Sequence, residues 1–324
     1  MGVRIIGTGK AVPKKVLTNE MMSEILDTSD EWIYSRTGIK QRYISTGETN
    51  TKLCVDAAKD ALKDSGLKGE DIDLIVVATI TSDKLTPSTA CLVQTEIGAK
   101  NSMAFDIVAA CSGFVYALDI AVKFIKSNEY KNVLIIGGEV LSKILDWSDR
   151  KNAVLFGDGA GAAIVTNDES DYITSINCVS VGEKAHTLTC NSLEIKNLYK
   201  KHSDDFSNYL SMDGKEIFKF AIDVIEKSIE KILKEENLRF EDIDYIIPHQ
   251  ANSRMIDTIA KRKNYDRNKF YMNIERYGNT SSASIPIALD EMNKKNLLKD
   301  GMKIILIGFG GGLTYGSALV NWKK

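Results

Sequence analysis

The feature that most constrains this chain is a repeat written into its two halves. Residues 61–78, ALKDSGLKGEDIDLIVVA, return 171 positions later as residues 232–249, ILKEENLRFEDIDYIIPH. EDID recurs whole, and Leu62, Lys63 and Leu67 reappear as Leu233, Lys234 and Leu238. A looser pair, FGDGAGAAIV (156–165) and FGGGLTYGSALV (309–320), follows in the same order. One shared tetrapeptide can arise by chance, whereas two pairs in the same order point to a duplicated unit. The polar run TNDESD separates the copies, so the expected halves are 1–170 and 171–324.

Each copy reads as alternating strands and helices. Short apolar runs bounded by turn residues predict strands at 4–8, 74–79, 104–108, 133–137 and 161–165, then at 173–181, 245–248, 303–308 and 316–321. Longer amphipathic stretches predict helices at 51–65, 89–97 and 112–127, then at 215–236, 253–262 and 284–293. Strands this apolar belong in sheets covered on both faces, which makes the fold class α/β. The polar stretch 191–208, rich in Lys and Asp, reads as an inserted surface loop.

Charge and cysteine usage narrow the partners. With 42 Lys and Arg against 44 Asp and Glu, the net charge of −2 gives no global attraction to nucleic acid or an anionic membrane. No apolar run approaches the roughly 18 residues of a membrane span. The start, MGVRIIGTGKAVP, lacks signal-peptide and myristoylation patterns, so the expected location is the cytoplasm. Five dispersed cysteines without a C-x-x-C pair argue against a disulfide framework or a metal site.

The chemistry concentrates at three places. In FDIVAACSGFVYAL (105–118) a buried strand turns into a helix opening at or just after Cys111. A thiol there meets unpaired amides and the positive end of the helix dipole, which favour thiolate. The same setting suits a buried structural cysteine. Of three histidines, His186 and His202 fall in polar sequence and are expected to be exposed. His249 ends a buried strand, where catalytic groups gather in such sheets, though a hydrogen-bonded structural histidine fits equally. In YGNTSSASIPIAL (277–289), Asn279 lies close to the repeat equivalent of Cys111; it is either a helix cap or a neutral donor aimed at the same point. The glycines of GDGAGAA (157–163) match no phosphate-binding pattern and suit close backbone packing. Those of GFGGGLTYG (308–316) let a turn approach a reacting carbon and offer amides to an oxyanion.

Taken together, the chain resembles the beta-ketoacyl-ACP synthase III family over nearly its whole length. The motifs IIGTG, DTSDEWIYSRTGI, AACSGF, FGDGAGAA, PHQAN, GNTSSASIPIAL and GGG-x-T-x-G occur in that family's order. The resemblance implies a thiolase-like fold of two duplicated α-β-α-β-α halves in five layers, assembled as a homodimer. It implies that Cys111 takes an acyl group from acyl-CoA, with His249 and Asn279 assisting decarboxylation of malonyl-ACP and no cofactor or metal required. By the same carry-over the amides of Cys111 and Gly311 form the oxyanion hole. Trp32 and Arg150 sandwich the adenine of CoA near Thr28, Arg36 meets its phosphates, and Asn252 lines the pantetheine tunnel. Arg254, Lys261, Arg262 and Lys263 would receive the acyl carrier protein, although a solvated helix face is the plain reading of those cations. Thr86 and Phe309 fall to the acyl pocket.

Two departures leave the primer open. Thr86 stands where family members often carry an aromatic residue before the proline, in a segment one residue shorter, and the 191–208 loop is unusually long and charged. The rival reading is a specialised ketosynthase or acyltransferase of the same fold with a different acceptor. A non-catalytic scaffold that binds acyl carrier protein is a remoter rival, because it has no need of Cys111, His249 and Asn279 together.

Overall fold

A computed structural model describes residues 2–200, 203 and 206–324. His202 lies outside the described residues. The elements that position the site begin with β1 (Gly2–Ala11), α1 (Asp30–Thr37), α2 (Asn50–Ser65), β2 (Leu74–Ala78) and α3 (Thr89–Ile97). They continue with β3 (Met103–Ile107), α4 (Gly113–Lys126), β4 (Asn132–Glu139) and β5 (Gly159–Asp168). A second series follows: β6 (Ile173–Ser180), α5 (Gly214–Glu235), β7 (Tyr245–Pro248), α6 (Ser253–Lys263), α7 (Ser284–Lys294), β8 (Lys303–Gly310) and β9 (Thr314–Asn321).

Two sheets share one plan. The first runs β1-β5-β4-β2-β3, with β4, β2 and β3 parallel and β1 and β5 antiparallel to their neighbours. The second runs β6-β9-β8-β7, with only β8 and β7 parallel. Where β3 would lie in the second sheet, Phe270 makes a single parallel bridge to Ile246. The 171-residue offset holds in space: β2 starts at Leu74 and β7 at Tyr245, while β4 spans Asn132–Glu139 and β8 spans Lys303–Gly310.

Strand alternation builds the layers. Val133 and Ile135 of β4, and Ile304 and Leu306 of β8, face a central core with Phe114, Leu118 and Ile125 of α4 and Ile285, Leu289 and Met292 of α7. Leu134 and Ile136 turn the other way onto α2 and α3. Ile305 and Ile307 turn outward onto α5 and α6. The result is five layers, α-β-α-β-α, with α4 and α7 in the middle. A central side chain such as Ile135, fully buried, would cost about 2–5 kcal/mol on truncation to Ala.

Element ends differ from the sequence reading where tertiary pairing extends them. β5 reaches both ways beyond 161–165 because β1 and β4 pair along its two edges. β8 runs on through its glycines, since Gly310 still pairs with Thr314 across the turn. Among the described residues, no helix is long and apolar enough to cross a membrane.

Candidate active site

The two central helices open at the same place, each through a short 3-10 turn: Ala110–Ser112 before α4 and Ser281–Ala283 before α7. In both turns a non-glycine residue adopts left-handed backbone, Ala110 at φ 43° and Ser281 at φ 49°, 171 positions apart. Such conformations cost on the order of 1 kcal/mol each and persist where the surroundings impose them. Here they point the start of each helix at one locus, with Cys111 on one side and Asn279 on the other.

The glycine run that ends β8 closes this locus from beneath. A Cβ on Gly308 would stand 2.8 Å from Ser112 Cα, and one on Gly310 would stand 2.7 Å from Cys111 Cβ. Only hydrogen fits at either position. Thr314, just past the run, ties the two loops: its hydroxyl lies 2.6 Å from Ser112 Oγ and donates to Ala109 O and Gly311 O.

Cys111 is buried and sits where two cavities meet. A cavity of about 120 Å³ brings it together with His249, Asn279, Asn252 and Phe309. A second, of about 440 Å³, is lined by Cys111, Gly311, Ser281 and apolar side chains including Ile80, Leu141, Ile144 and Leu210. Cys111 thus borders a cavity on each of two sides.

Burial opposes the thiolate that a helix start favours. Burial pushes the Cys111 thiol up to about 12, helped by the nearby Glu139 carboxylate, and outweighs the downward pull of the Ser281 hydroxyl and its own amide. Burial likewise lowers His249 to about 3, so the ring is neutral at physiological pH. Its Nδ1 lies 2.7 Å from Ser284 Oγ, which itself accepts from the Gln250 amide. With Ser284 Oγ donating to Nδ1, the neutral ring carries its proton on Nε2. Phe309 packs edge-on against the ring at 5.2 Å. Asn279 is fixed through its Oδ1, which accepts from the Ser281 amide at 2.9 Å, and through its backbone, which bonds Leu155 and Gly157.

The remaining predicted residues fall in three places. Trp32 stacks directly under Arg150, with 4.8 Å between ring centre and guanidinium, and Arg36 reaches it at 5.9 Å. Opening that stack is needed before a planar base can enter. Asn252 caps α6 and holds the Arg36 carbonyl at 2.9 Å, linking this surface to the smaller cavity, and the Thr28 hydroxyl is buried without a partner among the described residues. On α6, Arg262 and Lys263 are engaged by Glu226, and Lys263 also by Glu230, while Arg254 and Lys261 stand exposed without an acidic partner among the described residues. Phe309 lines the smaller cavity beside His249, and Thr86 is exposed and lines neither cavity of its own chain. His186 is exposed, as read. Sequence reasoning passed over Glu139, Ser281 and Ser284. An acid closing the apolar strand NVLIIGGE was a visible signal for the first.

Among the described residues, no group of three or more His, Cys, Asp or Glu is arranged to hold a metal ion. The sequence model for 3-oxoacyl-[acyl-carrier-protein] synthase III matches residues 105–182, and the model of its C-terminal part matches residues 233–322. The chain is 52% identical over 320 residues to a beta-ketoacyl-[acyl-carrier-protein] synthase III of Clostridium novyi, covering 99% of both. It is 54% identical over 319 residues to one from Clostridium perfringens, covering 98% of both. The solved 3-oxoacyl-[acyl-carrier-protein] synthase III of Aquifex aeolicus superimposes with a TM-score of 0.91 at 47% identity, over 99% of this chain and 100% of that one. The chain belongs to the beta-ketoacyl-[acyl-carrier-protein] synthase III family.

Proposed function

We propose that this protein condenses an acyl-CoA primer with malonyl-ACP, releasing CO₂ and forming the 3-oxoacyl-ACP that begins fatty acid synthesis. The observation that carries the reading is the convergence of Cys111, His249 and Asn279 on one cavity, with a larger apolar cavity behind the thiol. Cys111 attacks the thioester and keeps the acyl group, splitting one hard step into two. Malonyl-ACP then enters, and loss of CO₂ leaves an enolate whose oxygen needs donors. His249 Nε2–H and the Asn279 amide supply them without a negative charge that would oppose it, and removing one such donor typically costs 10²–10³ in rate. The amides of Cys111 and Gly311 hold the thioester oxygen in both steps.

The outer contacts follow the same reading. Trp32 and Arg150 part to take the adenine of CoA, Thr28 and Arg36 contact the nucleotide, and Asn252 flanks the pantetheine arm. Acyl carrier protein docks on α6, chiefly through the unpaired Arg254 and Lys261, with Arg262 and Lys263 contributing where Glu226 and Glu230 release them. Two chains associate, with Thr86 of each serving the acyl cavity of the other, and the enzyme works in the cytoplasm without a cofactor. The two duplicated halves divide near residue 170. Relatives more than 50% identical over almost their whole length carry the synthase name, so a related enzyme with a different acceptor is not favoured.

The test is intact-protein mass after mixing with acyl-CoAs from acetyl through branched and medium chains, with Cys111→Ala as control. One adduct, absent from the variant, is expected, and the best acyl group identifies the primer. No adduct with any of them would remove this reading.

A further inference from the structure

The turn that carries Asn279 is anchored at both ends by buried ionisable side chains. At its far end stands Glu139, the last residue of β4 and fully buried. The Ser281 and Ser282 hydroxyls lie 3.3 and 3.1 Å from its Oε1, while the Thr79 and Thr81 hydroxyls and the Ile80 amide donate to Oε2.

The near end is held differently. The chain enters through Gly278 at φ 66° and ψ −161°, a conformation open in practice only to glycine. Asn279 then pairs with a short strip beside it. Its amide donates to Leu155 O at 2.9 Å, and its carbonyl accepts from the Gly157 amide at 3.0 Å. Where the strip lies therefore decides where Asn279 lies.

Under both passes Arg42, on the strand Gln41–Ile44 and fully buried. Its Nη2 donates to Val154 O at 2.6 Å, and its Nη1 donates to Asn19 Oδ1 at 2.9 Å and Leu17 O at 3.3 Å. Asn19 is fixed in turn, its amide donating to Asp30 Oδ1 at 2.8 Å and Ile39 O at 2.7 Å. Among the described residues, Arg42 is the one side chain that hydrogen-bonds the backbone of 154–157, and no acid pairs with it. A Cβ on Gly157 or Gly278 would stand 3.0 or 3.2 Å from Arg42 Cβ, so the arginine stem forms the floor beneath strip and turn alike. Its planar fork reaches three segments at once, which the single ammonium of a lysine does not.

We propose that Arg42 is a positioning residue for the decarboxylating step: it fixes the strip 154–157, and the strip fixes Asn279 where the enolate oxygen forms. Arg42 makes no hydrogen bond to the elements that carry Cys111 and His249, so acyl transfer does not depend on it.

The inference rests on the proposed role of Asn279 in condensation, so its test separates the two steps. Arg42→Met, Asn279→Ala and the double variant are followed in single turnovers: acylation at saturating acyl-CoA, then reaction of the preformed acyl-enzyme with malonyl-ACP. Arg42→Met should acylate at close to the wild-type rate and condense roughly 100-fold more slowly, the scale of loss when a reacting group is misplaced by about 1 Å. In the Asn279→Ala background the same substitution should cost little more, because Arg42 then has nothing to act through. Equal losses in both backgrounds, or acylation slowed as much as condensation, would mark a general effect on folding and overturn the proposal.

Hydrogen exchange decides the matter without substrate. Peptides covering 154–157 and 277–283 should exchange about tenfold faster in Arg42→Met, while those covering 105–118 and 245–250 keep wild-type rates. A uniform rise, or none, would again overturn it. Arg42→Lys, which keeps a donor for the Val154 carbonyl, should show the same confined pattern at smaller amplitude, and it serves should Arg42→Met fold poorly. A wild-type protein that takes no acyl group would remove the proposed substrate, with exchange still deciding whether Arg42 holds Asn279.

Discussion

Burial moves three ionisable groups at the site, and in each case it favours the neutral form: Cys111, Glu139 and His249. The last two leave opposite marks on stability. His249 titrates at about 3 when folded against 6.5 ordinarily, so the unfolded chain binds more protons across that window. Stability is therefore full above about 6.5 and is lost as pH falls toward 3. Glu139 titrates at about 7 when folded against 4.5, so here the folded chain binds more protons, and stability falls as pH rises from about 4.5 to 7. Each slope is about 1.4 kcal/mol per pH unit at most, and where the windows overlap the two offset. Glu139→Gln removes one of them. Urea midpoints should show the variant gaining on wild type as pH rises from 4.5 to 7, and a difference independent of pH would contradict the burial-driven shift.

At the scale of elements, the site depends on how closely β8 passes under the start of α4. Gly308→Ala sets a methyl 2.8 Å from a backbone carbon, which no rotamer change relieves. The variant should lose about 1–3 kcal/mol in denaturant unfolding and acylate more slowly, because relief must move the turn that carries Cys111. Unchanged stability and rate would mean that the turn is looser than described. The strand–turn–helix at Cys111 and the strand end at His249 were readable because their apolar runs are short and sharply bounded. The left-handed backbone at Ala110 and Ser281 was not, since neither residue type asks for it; contacts between the two halves impose it.

For the whole molecule, charge placement matters more than charge number. The net charge of −2 conceals a helix, α6, with four cations, of which acids on α5 already engage two. Arg254→Glu should lower kcat/KM for malonyl-ACP about tenfold and weaken its salt dependence. Lys263→Glu should instead cost mainly stability, by setting a third acid beside Glu226 and Glu230. Steady-state kinetics at two ionic strengths, with thermal unfolding alongside, separates the two; equal kinetic losses would return all four cations to one docking face.

The sequence by itself determined the duplication, the alternation of strands and helices, and the identity of Cys111, His249 and Asn279 as the residues to watch. These are local or periodic properties, carried by hydrophobic spacing and by motifs of a few residues. What only the tertiary structure decided was the state of those groups and their company. Whether Cys111 rests as thiol or thiolate depends on water excluded by two layers of sheet and helix. The carboxylate behind it is assembled from residues 58 to 143 positions away from Glu139 along the chain. Phe309 faces His249 rather than the larger cavity because β8 alternates its faces, and the next residue, Gly310, is the one that meets the thiol.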